Sequence, residues 1–566
     1  MEVEQRAPIH MALLMSCFAG FGGFIYGYDT GYISGVKEMP YFRQLFGELG
    51  ANGKYYLPSY RDSLITSILS AGTFVGALAS YPIGDFLGRR YGIMAFLFLF
   101  SIGVACQTGG TTLRTFVVGR IFAGLGIGGT SCLVPVYQSE TAPKHLRGAV
   151  VGGYQLLITV GLFIAAVIVN GTKNRMDISC YAIPIGLQFI WVAILVVGLA
   201  ILPESPRYLI AAGRDEAAQD ALSWILRAPV ESDIVGEHYA EIAASVHHVR
   251  SLGGTSYADC FSMMNRNRVR SWAGIGLQAL QQLVGVNFIF YYGTTFFQNS
   301  GIHDPFVITI ATNVVNVGST IPGLWLTDKA GRRTMLLVGA VGMAVCHFIV
   351  AGCSTALSQD NEAGQKVLIG FVCVFIAFFA ATWGPIAWVV TSEIYATATR
   401  AKQMSMSVAS NWLFNFGIGY ATPYLVNTGK GNAGLQGKVF FIWGGVSCIA
   451  ILFVYFCIPE TKGLSLEQSP PSIHPLDILY RLTGNAIRAT KIRRELLERD
   501  IQDEDTAAYF YAFKEQHLGS SLHELEQHQG SSSDPQQPPH HQLQLQQDGL
   551  APVESPAVKM RDLNEA

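Results

Sequence analysis

The chain has 566 residues, half of them hydrophobic and only 14% charged, with 60 glycines and a formal net charge of −2. That profile is a polytopic membrane protein rather than a soluble enzyme, and the near-neutral balance gives no basis for nucleic-acid binding. The ten cysteines are scattered, mostly within apolar runs (Cys17, Cys106, Cys132, Cys346, Cys373, Cys448), so they read as packing residues rather than disulfides or metal ligands.

In chain order, residues 1–10 (MEVEQRAPIH) carry two acids ahead of the first apolar run and no small-residue cleavage site, which reads as a retained cytosolic start. A helix needs about 20 apolar residues to cross a bilayer. Candidate spans lie at 11–36, 63–83, 91–113, 115–138, 149–170 and 181–203, then at 272–298, 305–327, 334–357, 367–392, 403–426 and 439–459. The expectation is an all-α membrane protein whose twelve transmembrane helices form two six-helix bundles, 11–203 and 272–459. The polar stretch 204–271 between them includes GRDEAAQDALSWIL, whose periodicity predicts short amphipathic helices at the membrane surface. After the last span, residues 460–516 read as a partly helical cytosolic tail with a basic run, ATKIRRELLERD, suited either to an anionic leaflet or to plain solvation. Residues 517–566 are rich in Gln, His, Ser and Pro, a composition that cannot bury a core and predicts disorder. Positive charge in the short loops is nearly balanced, and it is the linker and tail that place both termini in the cytosol.

Within these spans only two side chains are fully charged, Asp29 and Arg120. A charge in lipid is expensive unless it is paired or reaches water, so an intramembrane ionisable residue is a functional candidate. The two have opposite sign, and antiparallel first and fourth spans put them at similar depth. A permanent structural ion pair is the plainer alternative. His347 on the ninth span reads as a packing histidine.

The halves echo each other in the loops. Asp85, Arg89 and Arg90 of GDFLGRR recur as Asp328, Arg332 and Arg333 of TDKAGRR; Glu140 and Arg147 recur as Glu393 and Arg400; Pro203-Glu204 recurs as Pro459-Glu460. Three motif pairs in the same order define an internal repeat, a common plan for transporters with a substrate site near the midplane. The repeated charges either cap helix ends or form a cytosolic gate whose Glu and Arg ends pair across the halves when the inner side closes, a role for which a network of individually weak pairs is suited.

These motifs, together with GYDTGYISG (27–35), GRIFAGLGIGGTSCLVPVYQSETAPKHLRG (119–148), PESPR (203–207), QQLVGVNFIFYY (281–292) and PETKG (459–463), resemble the sugar porter family of the major facilitator superfamily over roughly residues 10–465. The loop lengths and long tail look like the fungal monosaccharide (hexose) proton symporters. The resemblance implies two bundles around a central cavity and alternating access.

A sugar is a ring of hydroxyls, so its site needs neutral donors and acceptors and an aromatic face. Gln281, Gln282 and Asn287 lie within two turns of one another on the seventh span, with Gln155, Asn316, Trp388 and Asn411 at mid-span elsewhere. Amides in membrane helices also serve simply to join helices. By resemblance, Gln155, Gln282, Asn287, Asn316, Trp388 and Asn411 fall on sugar-contacting positions, and Gln281 is an additional candidate. Phe24, Tyr28, Tyr291 and Tyr292 fit either an outer mouth or core packing. Gly384-Pro385 predicts a break in the tenth span. The resemblance further implies proton coupling through Asp29 and Arg120, by neutralisation of the carboxylate. No cofactor is called for beyond the proton gradient.

Two departures stand out. Pro470-Pro471 interrupts the helix that usually follows PETKG, and Leu277-Gln278-Ala279-Leu280 replaces a triplet that some relatives associate with glucose preference, which leaves the sugar open. The readings that follow are a plasma-membrane proton-coupled monosaccharide importer, for glucose or fructose, a uniporter of the same fold, or a sugar sensor with cytosolic partners for its tail. An enzyme is not expected: GLGIGG (124–129) looks like a phosphate loop but lies mid-membrane.

Overall fold

The computed structural model describes residues 15 and 18–461, apart from 51–52, 143–146, 252–255, 263–266, 300–303, 358–360, 396–398 and 430. The expectations for residues 1–10 and for the tail beyond 461 lie outside the described residues.

The membrane helices of the first half are α1 (Phe21–Val36), α2 (Ser59–Leu87), α3 (Arg89–Gly109), α4 (Leu113–Thr141), α5 (Arg147–Thr172) and α6 (Ser179–Ile201). Those of the second half are α7 (Asn267–Gln298), α8 (Pro305–Ala330), α9 (Arg332–Ala356), α10 (Ala363–Glu393), α11 (Arg400–Val426) and α12 (Val439–Cys457). Ten of these elements are long and apolar enough to cross a bilayer by length and composition. Described from Phe21, α1 is too short for that count. In α11, polar residues such as Ser405, Asn411 and Asn415 lower the mean hydropathy.

The helices pack in pairs that repeat between halves. α1 lies on α5 as α7 lies on α11; α2 lies on α4 as α8 lies on α10; α3 lies on α6 as α9 lies on α12. The halves meet through α2 against α11, α5 against α8, and α1 against the second part of α7. Glycines let backbones touch at these crossings. A Cβ on Gly124 or Gly128 would stand 2.2 Å from the carbonyl oxygen of Leu69 or Thr73 on α2. The GLGIGG run is thus a helix-packing surface.

Two helices are broken. α7 divides into Asn267–Leu283 and Val286–Asn299 around Gly285, whose φ of +86° favours glycine. α10 divides into Glu362–Ala381 and Trp383–Glu393 at Thr382, where Pro385 lacks the N–H that would continue the ladder. Sequence periodicity read the seventh span as continuous, because one glycine among apolar residues does not interrupt it.

Between the halves, the linker forms helices Pro206–Ala211, Asp215–Leu226 and Asp233–Ser251. Ala218, Ala221, Leu222 and Ile225 form the buried stripe of the middle one, the spacing of an amphipathic helix. The end of the bundles carrying this linker and the repeated loops is called the linker end below, and the opposite end the distal end.

Candidate functional site

The repeated loops build two matching networks at the linker end. Glu204 accepts the backbone N–H of Arg89 at 3.0 Å and of Arg90 at 3.0 Å; Glu460 accepts those of Arg332 at 2.8 Å and Arg333 at 3.1 Å. Each carboxylate thus sits on a helix N-terminus, satisfying donors that the helix leaves open. Gly88 (φ +90°) and Gly331 (φ +89°) make room: a Cβ at either would lie 2.5 Å from the carboxylate. Burial pushes the Glu204 carboxyl above its ordinary value, and the N–H bonds of Ser205, Arg90 and Arg89 counter this. Arg89 grips Glu140 through two bonds of 3.0 and 3.1 Å and lies 3.6 Å from Asp85; Arg332 reaches Glu393 at 3.2 Å. Ser205 bonds Glu140 as Thr461 bonds Glu393, and Arg90 and Arg333 each donate to a carbonyl, of Ala200 and Tyr455, at 2.7 Å. Arg400 donates to the Tyr395 carbonyl. The side chains of Arg147 and Asp328 lie outside the described residues.

These pairs run within each half. Together they form two clasps, each tying helix ends of one bundle. What crosses the halves here is softer, with Lys402 of α11 standing 5.0 Å from the Tyr81 ring centroid of α2.

At mid-depth, α7, α10 and α11 bring together a network of neutral amides. Asn411 donates to Gln278 Oε1 at 2.7 Å and Gln281 Oε1 at 2.8 Å, and accepts from Gln282 at 2.9 Å. Gln282 Oε1 in turn accepts from Asn287 and, at 3.1 Å, from Asn415. Gln281 Nε2 donates to the carbonyls of Trp383 (2.8 Å) and Gly384 (3.0 Å), in the first turn of the segment that follows the break in α10. Ser70 of the first half reaches Asn415 at 2.6 Å, and Tyr291 reaches it at 2.9 Å. Around this network stand Trp388, edge-on to Tyr154, and Trp412, edge-on to Tyr26.

Gln155 on α5 approaches from the other half, its Nε2 3.3 Å from where a Cβ of Gly384 would stand. Asn316 is buried on α8. Among the described residues neither hydrogen-bonds into the amide network. Tyr291 and Tyr292 are buried, and Phe24 and Tyr28 pack on Trp191 inside the first half. His347 packs on Phe375 with its Nε2 3.0 Å from the Val284 carbonyl oxygen. Sequence reading missed Gln278, Asn415, Ser70 and Tyr26; the first two continue the one-turn spacing of Gln282 and Asn411, a signal that was available.

Asp29 and Arg120 do meet. Arg120 Nη1 lies 3.8 Å from Asp29 Oδ2, and the two side chains are 0% and 1% exposed. The arginine's shorter contacts are the Tyr32 hydroxyl (2.9 Å) and the Ile65 carbonyl (3.2 Å), and Tyr32 donates onward to Gln107 at 2.8 Å. Neither Asp29 oxygen has a hydrogen bond within 3.5 Å among the described residues, nor has the amide of buried Gln188 beside it.

A second buried pair was not expected. Lys37 and Asp62 fall just outside the apolar windows and read as loop charges, yet their Nζ–Oδ1 distance is 2.7 Å and Lys37 is 1% exposed. Helix α2 begins earlier than its apolar run, at Ser59, and carries Asp62 inward.

Two pseudo-repeated bundles around a neutral amide network define a twelve-helix transporter of the major facilitator fold. The family model for "Sugar (and other) transporter" matches residues 15–472, and the chain belongs to that family. It is 51% identical over 468 residues to "Major facilitator-type transporter ecdD" of Aspergillus rugulosus, covering 81% of this chain and 86% of the relative. It is 42% identical to "Probable glucose transporter rco-3" of Neurospora crassa (87% and 83% covered). To "High glucose sensor RGT2" of Saccharomyces cerevisiae it is 39% identical (88% and 64% covered). Among solved structures, it is similar to the proton:xylose symporter XylE of E. coli bound to 6-bromo-6-deoxy-D-glucose, with TM-score 0.69 and 25% identity over 81% of this chain and 98% of that one.

Proposed function

We propose that this transporter moves a monosaccharide, glucose or a related hexose, across the plasma membrane together with a proton, by alternating access and with both termini cytosolic. The observation that carries the sugar reading is the amide network of Gln278, Gln281, Gln282, Asn411 and Asn415, which offers donors and acceptors without a charge that would hold water. In this reading Gln155, Gln281, Gln282, Asn287, Asn316, Trp388 and Asn411 bind the sugar, most of them from the second half.

Coupling is assigned to Asp29. The carboxylate is buried and, among the described residues, its ionic partner Arg120 stands 3.8 Å away. Arg120 keeps Tyr32 and the Ile65 carbonyl in either state. A proton drives transport only where its affinity differs between conformations, and a change in the Asp29–Arg120 distance supplies that difference. The name of the XylE neighbour as a proton symporter supports the same reading. The paired linker-end clasps would keep each bundle rigid while the bundles rock.

The test is uptake of labelled glucose, fructose and xylose in cells lacking their own hexose carriers, with and without a protonophore, for the parent and Asp29→Asn. Concentrative, protonophore-sensitive uptake that survives Asp29→Asn refutes the coupling role. Sugar-specific exchange without accumulation by the parent establishes the uniporter instead. The likeness to a glucose sensor supports a second reading, in which the chain beyond Thr461 signals to cytosolic partners. Deleting residues 470–566 separates the two: uptake persists while a sugar response is lost if the chain senses.

A further inference from the structure

At the distal end a cavity of about 910 Å3 opens between the halves, lined by Glu38, Asp62, Thr295, Gln365, Tyr424 and Asn427 among others. Its inner wall is the seam between α1 and the second part of α7. Ser34 and Thr294 share a hydrogen bond of 3.0 Å, and Thr295 donates to Glu38 at 2.5 Å. Beside them the Lys37 ammonium uses its three hydrogens in three directions. Two go to its own half, Asp62 Oδ1 at 2.7 Å and Thr66 Oγ1 at 2.9 Å. The third faces the other half, with Nζ 3.8 Å from the Tyr292 ring centroid.

The arrangement is directional. Asp62 and Thr66 on α2 fix where the ammonium points, while Tyr292 is held by its hydroxyl bond to the Gly419 carbonyl on α11 at 2.6 Å. A buried ammonium has few places to go, and the face of an aromatic ring is one that can be released without leaving the charge unpaired. If the seam parts, Lys37 keeps Asp62 and Thr66 and loses only the ring. The contact is therefore one that can form and break between halves at little cost to either.

We propose that Lys37, aimed by Asp62, is a latch that docks on Tyr292 and holds the distal mouth closed. Lys37 is here a positioning residue of the gate rather than a substrate ligand, and this use of a gate rests on the alternating-access reading above. It adds a second ion pair, at a different level from Asp29 and Arg120, whose task is closure and not the carrying of protons.

The experiment reads the gate without sugar. Ser34→Cys places a thiol under the seam, and its labelling by a membrane-impermeant maleimide from the distal side is measured against the parent chain to subtract native thiols. Lys37→Met alone would strand the Asp62 charge and risk misfolding, so the pair is removed together as Lys37→Met/Asp62→Asn. Losing a desolvated cation–π contact predicts labelling faster by about fivefold to thirtyfold. Tyr292→Leu gives the same increase. Tyr292→Phe keeps the ring face and labels as the Ser34→Cys chain does, which separates the latch from the Gly419 hydrogen bond. Parent-like labelling in both the pair variant and Tyr292→Leu overturns the proposal, as does equally fast labelling in Tyr292→Phe. A chain that moves no sugar at all but shows the predicted labelling pattern leaves the latch standing and refutes the substrate reading.

Discussion

Gln281 lies at the centre of the amide network, yet its Nε2 is committed to the carbonyls of Trp383 and Gly384, so its removal tests whether it braces the tenth helix or binds sugar. Gln281→Ala deletes those two bonds and frees Asn411 Nδ2 from one of its acceptors. Both carbonyls keep their helical N–H partners in the segment that begins at Trp383, so what is lost is the interhelical bonds, which in a bilayer average about 0.6 kcal/mol because the separated helices find other partners. The two bonds to α10 and the one from Asn411 place the loss at roughly 1–2 kcal/mol. The assay is thermal unfolding of the detergent-solubilised protein, followed by monodispersity, beside uptake kinetics in cells. The expected result is a melting midpoint a few degrees below the parent, with Gln281→Glu recovering at most part of it, since a buried carboxyl offers one donor when protonated and none when charged. A Gln281→Ala chain that melts as the parent does and shows only a raised KM would refute the brace and make the residue a sugar ligand alone.

Asn415→Ala removes the acceptor shared by Ser70 and Tyr291 and one donor to Gln282; loss of about 1–2 kcal/mol predicts a KM for sugar raised about fivefold or more, read by concentration-dependent uptake. Tyr32→Phe takes away the hydroxyl that links Arg120 to Gln107. Uptake should persist while its steepness with external pH changes, and an unaltered pH profile would argue that Tyr32 is only packing. Gly88→Ala and Gly331→Ala each force a side chain into a φ near +90° and against a carboxylate 2.5 Å away. Each should cost about 1–3 kcal/mol in strain alone, with similar losses of melting temperature in the two variants because each carboxylate caps its helix through the same two backbone N–H groups.

The sequence by itself determined a great deal. Apolar length set the number of spans, because a bilayer demands about 20 such residues of any crossing helix. The repeated Arg and Glu positions announced two homologous halves, and the opposite charges at Asp29 and Arg120 announced a contact between α1 and α4, since neither charge is affordable alone in lipid. Spacing marked Gln282 and Asn287 as sharing a face of the seventh span, and the family resemblance added Asn411. The partners of those groups were another matter. Whether Arg89 meets Glu140 of its own bundle or a carboxylate of the other is a question of distances between helices far apart in the chain, which periodicity does not encode. Gln281 faces a helix break rather than open space for the same reason. Lys37 and Asp62 looked like loop charges because composition windows cannot see that α2 starts before its apolar run and that Tyr292 closes over them from the other half. A one-dimensional pattern fixes which residues must leave water; only the packing of the halves decides what each then touches.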